Sequence, residues 1–153
     1  MKTLIRYACI AFSVVFLGIQ LVPVPRANPS VISDVDAPLE VKEILRQSCY
    51  DCHSNETEWP WYSYVAPVSW LVAYDVKEGR EELNFSNWDV HRGDSHMMEE
   101  IIEEIAEREM PMPTYLITHS KASIDAHEME LLKAWAGATG EGAHDEDHVH
   151  EAH

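Results

Sequence analysis

The sequence predicts an all-α protein: a domain of about four helices over 31–140, preceded by a transmembrane helix and stalk in 1–30 and followed by a disordered tail in 141–153. Three observations predict this. Apolar residues recur at helical spacing in four separate stretches between 38 and 136. Residues 7–25 carry no charge. No alternation of strand-like and helical stretches runs through the chain.

Residues 7–25, at 1.5 Å per residue, reach about 28 Å, close to the thickness of a bilayer core. Lys2 and Arg6 precede them, so the N-terminus is expected in the cytoplasm and the domain on the extracytoplasmic, periplasmic side. A cleaved signal peptide is the competing reading, but no A-x-A-like site precedes Asn28. Cys9 reads as a small apolar residue within the membrane segment. Pro23, Pro25 and Pro29 stiffen the stalk.

The first domain helix is expected over 38–52, with Pro38 in its first turn and Leu39, Val41, Ile44 and Leu45 as its apolar stripe. Residues 54–66 break it and are dense in aromatic rings: Trp59, Trp61, Tyr62 and Tyr64 are read as packing on a prosthetic group or into the core. A second helix is expected over 67–83, with Val68, Leu71, Val72, Val76 and Leu83 apolar. A third, capped by Ser95, is expected over 96–109, with Met98, Ile101, Ile102 and Ile105 inward and a solvated glutamate face outward. Asp125 and Glu128 make a capping-box start for the last helix, 125–136, with Gly137 as its stop. The tail from 141 is acidic and rich in histidine, a composition that can hold metal ions loosely but reads first as solvated and disordered.

The formal net charge is −16. That argues against nucleic acid as a partner, since nucleic-acid binding needs a basic footprint. It suits a basic partner protein or plain solubility.

The chemistry lies in Cys49-Tyr50-Asp51-Cys52-His53. On a helix, positions i, i+3 and i+4 share a face, so two thiols and an imidazole point one way. C-x-x-C-H is the attachment pattern of haem c: the two thiols bond the porphyrin and the histidine ligates iron. One motif means one haem per chain. Two cysteines so close form a disulfide only with strain. A thiol oxidoreductase lacks its fold pattern here, and a zinc site lacks a second ligand pair. Met110 and Met112 each precede a proline, which holds the chain extended. A stiff strand of that kind can present a thioether to iron, and Met110 or Met112 is read as the second axial ligand, with His119 as an alternative. No catalytic residue is identified.

These residues resemble the haem-binding domain family of c-type cytochrome character. The likeness is carried by the anchor end from Ile19 to Pro29, by 49–55, by Trp59-Pro60-Trp61-Tyr62-Ser63 and by Ala66-Pro67-Val68-Ser69-Trp70. It continues through Glu78-Gly79-Arg80, Leu83-Asn84-Phe85-Ser86 and Glu109-Met110-Pro111. The resemblance implies a small, cytochrome c-like helical domain with one covalent haem c on Cys49 and Cys52 and His53 on the iron. The Glu-Met-Pro context makes Met110 the better distal candidate than Met112. Together these readings give a membrane-anchored monohaem electron carrier with an unidentified redox partner protein rather than an enzyme. The alternative is a haem enzyme or sensor with an open sixth iron position, peroxidase-like or gas-binding.

Overall fold

The computed structural model describes residues 1–141. The expectation of a disordered histidine-rich tail falls almost wholly outside the described residues. Those residues hold seven α-helices and no strand: α1 Lys2–Ile19, α2 Leu39–Ser48, α3 Tyr50–His53, α4 Val68–Glu82, α5 Ser95–Ala106, α6 Pro113–Leu116 and α7 Ala126–Glu141. A single bridge pairs Ser33 with Asn87. The fold is all-α, as the sequence predicts.

Helix α1 is 18 residues long with no residue buried. By length and composition it can cross a membrane, as an anchor or as a signal sequence. The chain after it does not stand free. Gln20 donates to the Ala66 carbonyl (3.2 Å) and accepts from the Ala66 N–H (2.9 Å). Arg26 donates to the Ser63 carbonyl at 3.0 Å, and Asn28 to the Thr57 carbonyl at 2.9 Å.

The core forms where α2, α5 and α7 meet. Val41, Ile44 and Leu45 of α2 occupy i, i+3 and i+4 and pack with Met98 of α5 and Leu132, Trp135 and Ala136 of α7. A run of rings crosses this core. Tyr50 stacks on Phe85 (5.4 Å between centroids), Phe85 on Trp88 (5.8 Å), and Trp88 lies against Trp135 (5.6 Å). The polar ends of the run are satisfied, as buried Tyr and Trp require: Tyr50 donates to Asp34 and Trp135 to the Asp36 carbonyl.

Several boundaries differ from the sequence reading for physical reasons. The first domain helix breaks at Cys49, whose φ of −123° leaves the helical range, so the motif starts a new turn instead of ending the old one. Asp94, not Ser95, caps α5 by accepting from the Met97 N–H. The capping box of α7 forms in both directions, Glu128 N–H to Asp125 Oδ1 and Asp125 N–H to Glu128 Oε2. Gly137 does not stop that helix, which continues to Glu141; a glycine inside a helix costs about 1 kcal/mol but ends it only in a left-handed conformation. Trp61 and Tyr64 are exposed and belong to no core.

Arg80 ties the parts together. Its guanidinium donates to the carbonyls of Ser54 (2.7 Å) and Ala27 (3.0 Å), to Asn28 Oδ1 (2.9 Å) and to Thr57 Oγ1 (2.9 Å). One side chain on α4 thereby fixes both the stalk and the segment after the motif. Arg80→Ala removes all four bonds and leaves part-buried acceptors unpaired. The expected loss is about 2–4 kcal/mol of stability, read as a lower urea midpoint with an unchanged slope.

Candidate functional site

The site begins with a helix of one turn. The N–H groups of Cys52 and His53 both bond to the Cys49 carbonyl, at 3.2 and 2.9 Å. This brings Cys49, Cys52 and His53 to one wall of a cavity of about 500 Å³, within the range of cofactor sites. Met97, Ile101 and Ile105 of α5 line it, as do Met110, Pro111 and Met112. The structure therefore gathers five of the six residues singled out in the sequence. His119 is not among the lining residues; it stacks on Tyr115 at 4.1 Å and lies within reach of Thr118 and Tyr62. The rings of Trp59, Trp61, Tyr62 and Tyr64 do not line the cavity either; Tyr74, Phe85 and Tyr115 do.

Contacts from α4 and beyond orient the motif. An ideal Cβ built on Gly79 would lie 2.9 Å from the Cys52 carbonyl oxygen, so only glycine lets α4 pack this closely on α3. His53 Nδ1 donates to the Leu83 carbonyl at 3.1 Å. That bond places the proton on Nδ1 and leaves the Nε2 lone pair for a metal, the arrangement by which proteins orient a ligating imidazole. The Phe85 N–H then bonds back to the His53 carbonyl at 2.8 Å. Asn55 N–H donates to Ser86 Oγ, and Asn84 to Asn55 Oδ1, so 53–55 and 83–86 interlock.

The methionine segment is set by the end of α5. Arg108 adopts a left-handed φ of 65°. Its N–H bonds to Ile105, and those of Glu109 and Met110 to Glu104. This is a Schellman stop with arginine where glycine is preferred. On the far side, Tyr115 Oη donates to Asp51 Oδ2 at 2.7 Å, joining α6 to the motif. The sequence reading quoted Asp51, Gly79 and Arg80 within motifs but gave no role to them or to Tyr115. Gly79 alone carried a signal, as an isolated glycine in a helical pattern.

Burial decides the protonation states. It pushes both thiols up to about 12, with the neighbouring Cys52 thiol adding for Cys49 and Asp51 and Asp75 adding for Cys52. Thiols held this far from ionising are poor thiol–disulfide catalysts, which work through the thiolate. Burial also holds the His53 imidazole below its usual value, which favours the neutral, ligating form. Ser48 Oγ, on the same wall, is buried without a hydrogen-bond partner. Among the described residues no cluster of three His, Cys, Asp or Glu side chains can hold a bare metal ion; the glutamates of α5 are exposed, and Glu100 and Glu104 also edge the cavity. A neutral imidazole, two thiols, thioethers and an aliphatic wall fit a flat, largely apolar group that carries its own metal.

One family model, described as a haem-binding domain, matches residues 14–138. No curated protein and no solved structure matches the chain significantly.

The Gly79 contact makes a direct prediction. Gly79→Ala forces α4 away from Cys52, at about 1–3 kcal/mol as an overpacking change. Thermal unfolding and bound prosthetic group per chain, measured on one preparation, should both fall. The Schellman stop makes the opposite one: Arg108→Gly relieves the left-handed conformation and should raise stability by up to about 1 kcal/mol, read as a higher urea midpoint.

Proposed function

The chain belongs to the haem-binding domain family, and from that premise we propose that it is a membrane-anchored, extracytoplasmic, monohaem c-type cytochrome-like protein that passes single electrons. One observation carries the reading: two thiols and an imidazole from 49–53, and two thioethers from 110–112, line one cavity although some sixty residues separate them. In this reading Cys49 and Cys52 hold the porphyrin covalently, His53 is the proximal ligand and Met110 the distal one, with Met112 as its alternative. Haem so held supplies a one-electron couple, which histidine–methionine ligation sets high.

The chain's own residues do the rest. Leu83 fixes the imidazole through its carbonyl. Met97, Ile101 and Ile105 exclude water from one wall. The Glu104 carbonyl anchors Met110 by its N–H. Lys2, Arg6 and the uncharged stretch after them support an anchor whose N-terminus stays inside.

A pyridine haemochrome spectrum with an intact mass on wild type should give one haem c per chain, retained after denaturation. Cys49→Ser with Cys52→Ser should release it to acidified organic solvent. Haem that leaves the wild type under those conditions would overturn covalent attachment. Met110→Ala should alter the reduced spectrum and speed carbon monoxide uptake, while Met112→Ala should change neither. Rapid uptake by wild type would instead favour the open-site enzyme or sensor.

A further inference from the structure

Residues 59–74 contain no charged side chain, in a chain of formal charge −16. They also hold the domain's densest group of large apolar side chains that folding leaves uncovered, while Ile32, Leu39, Val90 and Ile117 are exposed singly elsewhere. Trp61 is 78% exposed, Tyr64 59% and Leu71 57%, and Val65, Val68 and Trp70 are exposed beside them. They come from the short helical turn Trp61–Tyr64, from Val65 just after it and from the first turn of α4. Apolar surface gathered in this way marks an interaction site.

Its position says what covers it. Gln20 is the residue that ends α1, and both polar ends of its side chain are bonded to the backbone of Ala66, in the middle of the uncharged stretch. The Arg26 guanidinium reaches back to Ser63 and lies 4.4 Å from the centre of the Tyr64 ring. The exposed rings are therefore fixed at the level where α1 ends. Trp and Tyr are the residues that bilayer interfaces select, because an apolar body and a polar tip suit the headgroup zone.

We propose that the face built by Trp61, Tyr64, Val65, Val68, Trp70 and Leu71 rests on the lipid interface of the bilayer that α1 enters, so that the domain is docked on the membrane and not merely tethered to it. This rests on reading α1 as an uncleaved anchor. Tyr74 lies one turn beyond Trp70 on α4 and lines the cavity, so docking also fixes how the cavity faces the membrane.

The distribution of tryptophan allows a clean test. All five lie at 59, 61, 70, 88 and 135, none of them in α1, and Trp88 and Trp135 are buried. The full haem-loaded chain is placed in phosphatidylcholine vesicles whose acyl chains carry bromine near the headgroup, and its tryptophan emission is compared with that in unbrominated vesicles. Carbonate washing of the same vesicles reports the anchor separately. The expected result is loss of emission in brominated lipid that disappears in Trp61→Gln/Trp70→Gln, with both proteins resisting the wash. Resistance to the wash without any bromine-dependent loss overturns docking and leaves the anchor standing. Release by the wash together with no loss overturns both. Quenching in a preparation that the wash then removes overturns the anchor and, with it, docking beside a membrane-spanning α1.

Discussion

The helix that carries Cys52 and His53 is four residues long, far below the length at which a helix holds itself in water, so its orientation has to come from whatever packs against it. Gly79 supplies the contact, because without a Cβ it lets α4 reach the Cys52 backbone. Leu83 and Phe85, at and just beyond the end of the same helix, hold the imidazole and the carbonyl of His53. Arg80 holds the segment that follows. Four functions thus sit within seven residues of α4 and its exit, and the face that the motif presents is a property of that tertiary contact more than of the pentapeptide.

The rest of the lining has a different origin. Met97, Ile101 and Ile105 are ordinary apolar positions of an amphipathic helix. They belong both to the packing around α7 and to the cavity lining. The methionine segment is delivered by the way that helix ends. Backbone bonds at Arg108, Glu109 and Met110 turn the chain before Pro111 fixes it. The N-terminal helix, the motif and the methionine segment come from distant parts of the chain, and the aromatic run from Tyr50 to Trp135 crosses the core.

Much of this was legible in the sequence. The C-x-x-C-H spacing, the methionine–proline pairs and the helical periodicity of α2, α4, α5 and α7 led to the residues that now line one cavity. What escaped was whatever depends on a partner far along the chain. Arg80 reads as one more charge on a helix until the carbonyls it binds are known. The break at Cys49 has no proline or glycine to announce it. The rings of 59–64 suggested a cofactor wall by density alone, but density does not say which way a ring points: Trp61 and Tyr64 face outward, Trp59 and Tyr62 are half-buried away from the cavity, and Tyr115, in a short helix, lines it. Gly137 looked like a stop because its composition fits one, yet nothing at that position needs a left-handed turn.

The cavity has one more property, which concerns approach more than binding. Asp51, Asp75, Glu78, Glu82, Glu100 and Glu104 all contribute to its lining, and no lysine or arginine does. Burial raises the carboxyl of Asp75 above its usual value. Taken as a potential, these groups make the entrance selective by sign: small anions meet repulsion, while cationic reagents and basic surfaces are drawn in. Across water that field fades over about 8–10 Å at physiological salt. Access then depends on ionic strength as well as on shape.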